Sequence, residues 1–419
     1  MRTFGNRRKD SQTQRPILAA CVAASVSLCV ATASAQTSRF EPLKRYFAEA
    51  VAEEGIVGGG MYLVGPNGVV DSAFAGFADR ESGRKANGAT IWHWASITKT
   101  LTAIAIMQLR DRGRLALDDP IVNHVPELSG VHNPFGPMTQ VTVRQLLSHS
   151  SGFRSGTWPW GGDKPWHPFE PTRWSQLVAM LPYTRIEFAP GSKYQYSNPG
   201  YVYLGQTIER LAGEDFEVYM QKNVLSPLGM THSYYDLTPY HLIGDRSNNY
   251  YVKDGQPAAN GLDFDTGITT SNGGLNAPLS DMARYLGFLL GGSADGRIGG
   301  DFPLPRASLE EMWKPVVPAG GSATRKGSVG LGYFLTDFPD GDRLIGHTGS
   351  QAGFRSFFWI HPKSRTAIIA VFNTSPPSEG AGPEVKPRIG RVFDGLGERF
   401  EEAVGVVTSH ESRDTRPRN

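Results

Sequence analysis

The chain has 419 residues and a formal net charge of +2, with 39% hydrophobic and 20% charged residues. This near-neutral charge, without a basic run, gives no support for a nucleic-acid partner. The length suffices for one large core or for two lobes.

The first 35 residues predict a signal peptide. A positively charged segment precedes a short apolar run from Ile17 to Val30, and Ala33-Ser34-Ala35 fits a cleavage site. The run is too short and too polar for a membrane span of about 20 apolar residues. We therefore expect a periplasmic or secreted protein without a stable membrane anchor. Arg7-Arg8 leaves twin-arginine export open, and the stretch ending at Cys21 leaves a lipoprotein open.

Both cysteines, Cys21 and Cys29, lie in this predicted signal peptide. Cleavage after Ala35 would leave a chain without cysteine, which excludes a disulfide and a cysteine nucleophile. The ten histidines show no HExxH motif or clustered spacing. We therefore predict no metal site and no cofactor.

The mature chain is predicted to begin with an amphipathic helix over Phe40–Glu54. A β-hairpin with strands Val57–Val64 and Val69–Phe77 follows, because a Gly-Pro-Asn-Gly turn separates two strand-like runs. The next element is Ser96-Ile97-Thr98-Lys99, after which an apolar run extends from Leu101 to Leu109. This pattern predicts a buried helix with Ser96 in its first turn.

Ser96 and Lys99 would lie on one face of that helix, with Cβ atoms about 5–6 Å apart. A lysine in a dry pocket loses its charge more easily, and it can then accept the proton of a serine hydroxyl. The Ser-x-x-Lys pattern is weak by itself, since it recurs at Ser82-Gly83-Arg84-Lys85 in a polar turn. An ordinary buried helix is the alternative interpretation.

From Leu115 to about Met312 the sequence predicts helices joined by long loops. The candidate helices are Thr142–Ser148, Thr172–Leu181, Tyr201–Ala212, Asp215–Leu225 and Ser280–Leu290, the last capped by Ser280-Asp281. Residues 157–171 form a loop rich in Trp and Pro. This loop is either a wall over a cleft or a segment that its Trp side chains attach to the core.

Tyr196-Ser197-Asn198 is predicted to lie in the loop before the helix near Tyr201. A neighbouring lysine cation favours the phenolate, so Tyr196 is a candidate general base. Asn198 offers both a donor and an acceptor, which suit it to bind a lysine and a substrate amide. An ordinary turn is the alternative.

From about Leu331 the pattern changes to strands, and Val392–Val404 predicts a terminal helix. The predicted strands are Gly330–Leu335, Arg343–His347, Gly353–Ile360 and Thr366–Asn373. Because strands occur at both ends of the chain, the simplest fold pairs the two ends in one sheet. We predict one catalytic domain over residues 36–405, with a cleft between two lobes. Its parts are an α/β lobe (about 40–95 and 325–405) and a mainly helical lobe (about 96–324), before a disordered tail (406–419).

His347-Thr348-Gly349-Ser350 is predicted at the end of an edge strand. Gly349 would let a substrate backbone approach closely, and the amide of Ser350 would join that of Ser96 in an oxyanion hole. His347 and Thr348 would line the pocket and bind a substrate carboxylate or carbonyl. A structural role for this histidine is the alternative.

The order Ser-x-x-Lys, Tyr-x-Asn, His-Thr-Gly resembles the serine β-lactamase and penicillin-binding protein superfamily. The tyrosine points to its branch of class C β-lactamases, DD-carboxypeptidases and family VIII esterases. Leu117–Pro120, Leu146–Gly152 and Pro227–Met230 are similar to that branch as well, and the resemblance covers roughly residues 40–375. It implies a β-lactamase/transpeptidase-like α/β fold, with an antiparallel sheet flanked by helices and a mainly helical lobe.

The resemblance also implies roles for individual residues. Ser96 would be the acylated nucleophile, Lys99 its proton partner and Tyr196 the general base, while Asn198 would position substrate. The third motif begins with His347, as it does in DD-peptidases and D-aminopeptidases. Class C enzymes have a lysine at this position. Histidine is largely neutral at pH 7, so it would not supply the fixed cation that binds a β-lactam carboxylate. Peptidase or esterase action is therefore expected rather than efficient β-lactam hydrolysis.

We therefore expect an exported serine hydrolase that works through an acyl-enzyme. Its substrates would be D-amino-acid peptides, small esters or β-lactam-like amides, and its oligomeric state is open. A non-catalytic relative that binds cell-wall peptides is the alternative. An α/β-hydrolase is excluded because no Gly-x-Ser-x-Gly occurs.

Overall fold

The computed structural model describes residues 40–156, 171–261, 266–292, 302–376 and 386–406. The predicted signal peptide, residues 157–170 of the Trp-rich loop and residues 407–419 of the predicted tail lie outside these ranges. No helix within them combines the length and the apolar character that a bilayer-spanning segment needs.

The strands of the described residues belong to one large sheet and two small ones. They are β1 Gly58–Gly65, β2 Gly68–Asp79, β3 Arg84–Lys85, β4 Ile91–His93, β5 Tyr234–Tyr235, β6 Tyr250–Lys253, β7 Gln256–Ala259, β8 Leu275–Pro278, β9 Val317–Gly321, β10 Lys326–Val329, β11 Phe334–Asp337, β12 Arg343–Gln351, β13 Phe354–His361, β14 Thr366–Phe372 and β15 Thr374–Ser375. The large sheet has the order β3-β2-β1-β14-β13-β12-β11-β10-β9 and is antiparallel throughout.

Helices cover both faces of this sheet. Along the chain, most of them lie between the N-terminal strands β1–β3 and the C-terminal strands β9–β14. The first, α1, occupies residues 40–53. The others are α2 Thr98–Asp111, α3 Val143–Leu147, α4 Trp174–Val178, α5 Asn198–Ala212, α6 Phe216–Met220, α7 Thr270–Gly273, α8 Leu279–Leu289, α9 Arg306–Met312 and α10 Ile389–Val404. The predicted α/β fold with an antiparallel sheet and flanking helices is confirmed.

The two ends of the chain meet in the centre of the large sheet. Strand β1 pairs with β14 in antiparallel register from Gly59 opposite Phe372 to Val64 opposite Ala367. The predicted pairing of N-terminal and C-terminal strands is therefore confirmed. Most of the helices lie, in sequence, between strands that belong to this one sheet.

Side chains of the large sheet alternate between two cores, as the period of two in a strand requires. On the outer face, Met61 and Leu63 pack in a cluster with α1 and α10 that includes Phe47 and Phe400. On the inner face, alternate residues of the same strands pack in a cluster with α2, α5 and α8. The functional motifs lie on this inner face.

Helix α2 is buried on nearly all sides, from Thr98 to Leu109. An apolar helix without a polar stripe belongs in a core, because each of its faces needs an apolar neighbour. The helix ends at Asp111, and Gly113 follows in the left-handed region at φ 68° with its N–H bonded to the Arg110 carbonyl. Its first turn is thus held at the bottom of the inner face.

Three local predictions differ from the structure. Strand β12 continues to Gln351, beyond its predicted end at His347; β11 flanks it only as far as Gly346, so the third motif pairs with β13 alone and lies at an edge, as predicted. Helix α5 begins at Asn198, three residues before its predicted start at Tyr201, because the Ser197 hydroxyl accepts the Gly200 N–H as an N-cap. Asp281 does not cap α8, because its carboxylate accepts hydrogen bonds from His232 and Ser233.

Candidate active site

Ser96 lies in a tight turn that the surrounding strands hold in place. The turn is the 3₁₀ segment Ala95–Ile97 directly before α2. Ala95 has φ 50°, a left-handed conformation that costs a residue with a Cβ atom. The Trp94 N–H donates to the Leu275 carbonyl at 2.9 Å, and the Ser356 hydroxyl donates to the Trp94 carbonyl at 3.2 Å. Strands β8 and β13 thus fix the backbone that presents Ser96.

Lys99 is fully buried, and its amine is directed at Ser96. Its Nζ lies 3.1 Å from Ser96 Oγ and 2.8 Å from the Asn272 carbonyl oxygen. Burial lowers the pKa of Lys99 well below the usual 10.5, because the charged form loses its hydration. The predicted one-face arrangement of Ser96 and Lys99 is therefore present in the structure.

Tyr196 completes this group from the start of α5. The Lys99 Nζ lies 5.0 Å from the centroid of its ring, and the Tyr196 hydroxyl is buried without a hydrogen bond to any described residue. Burial raises the pKa of Tyr196, although the nearby Ser96 hydroxyl acts in the opposite direction. The phenol is thus neutral at rest, because burial disfavours the phenolate.

His149 holds the segment that carries Tyr196. Its Nδ1 accepts the Ser197 N–H at 3.1 Å, and its carbonyl accepts the Gln195 N–H at 2.9 Å. Its ring packs on that of Tyr196, with centroids 4.3 Å apart. Burial lowers the pKa of His149 well below 6.5. The ring is therefore neutral, with its proton on Nε2.

His347 is buried on the inner face of β12, with 2% of its surface exposed. Its ring stacks on Phe334 at 4.7 Å between centroids, and its Nδ1 lies 2.6 Å from the Thr348 carbonyl oxygen. Burial lowers the pKa of His347 to about 3. Its Nε2 is buried and has no partner among the described residues.

The other residues of the third motif are placed differently from the expectation. The Thr348 side chain lines a cavity of about 400 Å³ with Trp359 and Phe393, beneath α10 on the outer face, because it alternates with His347 along the strand. A Cβ at Gly349 would overlap the Trp94 carbonyl oxygen, so the glycine leaves room for the turn that carries Ser96. Ser350 is exposed near the end of β12, and its part in an oxyanion hole stays a prediction.

Asn198 is also placed differently. It is the first residue of α5 and is half-buried, but the two partners of the Lys99 amine are Ser96 and the carbonyl of Asn272. The backbone of Asn272 thus takes the lysine-binding part that the sequence assigned to Asn198. The side-chain Nδ2 of Asn272 is buried without a hydrogen-bond partner among the described residues.

Sequence reasoning missed Asn272 and His149 as contributors to this site. Asn272 acts through its carbonyl, which leaves no signature in residue type. His149 had a signal: it lies in a run of four polar residues, Ser148–Ser151, between an apolar helix and Gly152. All four are at most 2% exposed, and such a buried polar run needs partners that a surface turn does not.

The sequence is similar to proteins from two bacteria. Protein flp of Staphylococcus aureus (strain COL) is 24% identical over 322 residues, 77% of this chain, which spans about 60% of the length of that relative. Penicillin-binding protein 4* of Bacillus subtilis (strain 168) is 25% identical over 318 residues, 73% of this chain and 65% of the relative.

Solved structures share the fold. A penicillin-binding protein homologue from Pyrococcus abyssi, described as octameric, has a TM-score of 0.68 and 27% identity, and the match covers 80% of this chain and 74% of that one. The D-amino acid amidase from Ochrobactrum anthropi SV3 has a TM-score of 0.69 and 22% identity, covering 87% and 99%. The sequence profile of the beta-lactamase family matches residues 43–386. The chain therefore belongs to the beta-lactamase family, together with the penicillin-binding proteins that share its fold.

Proposed function

We propose that this protein is a serine hydrolase that forms an acyl-enzyme at Ser96. The observation that carries the proposal is the contact between Ser96 Oγ and the Lys99 amine at 3.1 Å, in a place where burial removes the lysine charge. A serine hydroxyl needs such a neighbouring base to become a nucleophile. The turn that presents Ser96 is also strained at Ala95, which is typical of functional sites.

Lys99 is the group best placed to accept the Ser96 proton. Its amine is neutral at rest, whereas the Tyr196 phenol keeps its own proton because burial raises its pKa. This reverses the order expected from the sequence, in which Tyr196 was the base. Tyr196 then serves as the proton donor to the departing group, since a neutral phenol close to Ser96 can release a proton and recover it from Lys99.

The proposed reaction has two steps with one proton circuit. Ser96 Oγ attacks the substrate carbonyl, its proton passes to Lys99, and the bond to the leaving group breaks as that group takes a proton through Tyr196. Water then attacks the acyl-enzyme ester, gives its proton to the same groups, and releases the carboxylic acid while Ser96 regains its hydrogen. Backbone N–H groups at Ser96 and Ser350 are the proposed oxyanion donors.

The proposed substrate class is supported by the named relatives. Relatives named as penicillin-binding proteins, a D-amino acid amidase and a D-alanine carboxypeptidase support an amide or ester of a D-amino acid or another small acyl group. Export, which the first 35 residues predict, would bring the protein to cell-wall peptides. We propose Asn198 and the Ser350 end of β12 as the substrate-facing positions.

Fluorophosphonate labelling tests the proposal directly. We expect a labelled Ser96 peptide in the wild-type protein by mass spectrometry, and no label in Ser96→Ala. Ser82→Ala is the matched control, since Ser82 begins the second Ser-x-x-Lys of this chain in an exposed turn; its label should be unchanged. Label that survives Ser96→Ala would eliminate Ser96, and a wild type that binds D-peptides without label or turnover would favour a non-catalytic binder.

A further inference from the structure

We propose that His93 and Gln351 are positioning residues for the base of the reaction. Together they hold the segment of residues 272–276, whose first carbonyl accepts the Lys99 amine at 2.8 Å. The inference rests on the proposed serine hydrolase function, because it concerns the group that activates Ser96. Neither residue belongs to the three sequence motifs.

The lysine-binding segment combines a very short helix with two glycines. Asn272 lies in α7, which is four residues long, and a helix this short needs support from its surroundings. Gly273 and Gly274 follow directly, and glycine restricts the backbone least of all residues. The position of the Asn272 carbonyl therefore depends on the contacts that fix these two glycines.

The first contact of His93 is with Asn276, which fixes one of the glycines. The Asn276 Nδ2 donates to the Gly274 carbonyl at 3.1 Å, while its Oδ1 accepts from Arg246 Nη1 at 2.7 Å. These two bonds settle which end of the amide is oxygen. His93 Nδ1 lies 3.1 Å from the same Oδ1, so it must be a donor. The ring of His93, 1% exposed, is thus bonded to the residue that holds Gly274.

The second contact of His93 is with Gln351, the last residue of β12. His93 Nε2 lies 3.3 Å from Gln351 Oε1. In a neutral ring with its proton on Nδ1, Nε2 accepts, and a half turn of the amide brings the NH2 group of Gln351 to face it. A Cβ at Gly273 would lie only 2.4 Å from Gln351 Oε1. The amide of Gln351 therefore rests directly against the backbone of Gly273.

His93 in this way joins the two side chains that enclose Gly273 and Gly274. If the contact with Gln351 is lost, the glycines gain freedom, and the carbonyl of the preceding Asn272 moves with them. The Lys99 amine then loses the acceptor that keeps it directed at the serine. A displacement of about 1 Å of a catalytic group can cost on the order of 10²-fold in rate.

The rate of Ser96 labelling tests this step separately from turnover. A fluorophosphonate reacts irreversibly, so its rate at saturation, kinact, reports activation of the serine, and the half-saturating concentration, KI, reports binding. Gln351→Met keeps the length of the side chain and removes the amide. We expect kinact to fall at least about tenfold while KI changes less than about threefold. An unchanged kinact would overturn the inference.

The matched control is Gln256→Met, at an exposed glutamine of β7, and it should leave kinact and KI unchanged. Gly273→Ala gives an independent test, because it removes no hydrogen-bonding group and places a methyl group where the Gln351 amide lies. It should lower kinact about as much as Gln351→Met. A Gly273→Ala protein that labels at the wild-type rate would contradict the proposed contact.

A double variant shows whether the two side chains act as one unit. His93→Phe preserves an aromatic ring beside Phe354, whose centroid is 6.0 Å from that of His93, and removes both hydrogen bonds. Adding Gln351→Met to it should cause no further loss of kinact, because the contact is already broken. Losses that multiply would contradict the assignment. If His93→Phe does not fold, the glutamine and glycine variants decide.

Failure of the inference and failure of the proposed function give different results. A wild type that takes no label at Ser96 fails as a hydrolase, whereas a labelled wild type whose variants react at the same rate fails only in the positioning role. The melting temperature of Gln351→Met should fall by no more than about 4 °C, since about one net hydrogen bond is lost. A larger fall would assign the contact to stability instead.

Discussion

Two buried sites on opposite faces of the large sheet treat ionisable groups in opposite ways. On the outer face, Glu54 is buried against Arg388 with hydrogen bonds of 2.6–3.1 Å, and these outweigh burial and lower the pKa of the carboxyl. On the inner face, Lys99, His149 and His347 have no hydrogen bond or ion pair with an acid among the described residues. Burial lowers the pKa of all three.

This difference teaches what each face does. A buried charge with an opposite partner is retained and joins two elements, here the end of α1 and the start of α10. A buried base without such a partner gives up its proton instead. The Glu54–Arg388 pair therefore stabilises the fold, and the inner face favours the neutral forms of the Lys99 amine and of both histidine rings.

The largest expected effect is on the outer face. Phe47 is fully buried, and its ring stacks on Phe372 at 5.7 Å, so Phe47→Ala should lower the free energy of unfolding by about 3–5 kcal/mol. Urea denaturation measures this, and kcat/KM of the folded variant should change less than about threefold. The control is Phe135→Ala, at a residue 48% exposed, with a change within about 0.5 kcal/mol. A lost activity in folded Phe47→Ala would erase the distinction between the faces.

Lys99→Met should have the opposite outcome. We expect kcat/KM for an ester to fall by about 10²-fold or more, the usual scale for loss of a general base. The melting temperature should not fall, because an apolar side chain replaces an amine that burial penalises. Lys222→Met, at an exposed lysine paired with Glu214, should leave kcat/KM unchanged. A variant that melts several degrees lower would show that Lys99 stabilises the fold.

Tyr196→Phe separates the two proton-transfer roles. If Tyr196 gives its proton to the leaving group, the variant should lose about 10²-fold in kcat/KM on an amide. It should lose less than about tenfold on a p-nitrophenyl ester, whose leaving group departs without a proton. Equal losses on both substrates would instead make Tyr196 the base that activates Ser96.

Two variants at His149 test its hold on the Tyr196 segment. His149→Leu removes the acceptor for the Ser197 N–H, and the displaced phenol should lower kcat by about tenfold or more with little change in KM. His149→Asn places an amide oxygen near the former Nδ1 and should recover part of the rate. If Asn and Leu are equally slow, the ring rather than the acceptor is what matters.

The pH profile gives the mildest test. Lys99 must be neutral to accept a proton, and burial lowers its pKa, so kcat/KM should fall only as the pH drops through that lowered value. We therefore expect a plateau that begins well below pH 10 for a p-nitrophenyl ester. A rate that continues to rise to pH 10 would mean that Lys99 has an ordinary pKa and is solvated.

The sequence carried most of the fold and part of the site. Apolar periodicity predicted α2, and strand patterns at both ends predicted the pairing of β1 with β14. The contact between Ser96 and Lys99 was predictable because residues three positions apart on a helix lie on the same face. Asn272 was not, because it acts through a main-chain carbonyl delivered from another part of the chain.

The third motif shows a different reason for error. Alternation along a strand places His347 and Thr348 on opposite faces, but the predicted strand ended at His347 and so assigned no face to Thr348. The structure extends this strand to Gln351. The charge state of His347 depends on its burial against Phe334, which only the folded chain brings beside it.

The pairing of β1 with β14 has a consequence for how the protein is made. Residues 40–156 include Ser96, the proposed nucleophile, yet the strands that fix its turn, β8 and β13, are synthesised much later. Long-range strand pairs form slowly, since a large loop must close first. A nascent chain that stops before Phe354 therefore carries Ser96, Lys99 and Tyr196 but lacks the Ser356 hydroxyl that anchors the Trp94 carbonyl. The turn that carries Ser96 should therefore reach its final geometry only after β13 has been synthesised.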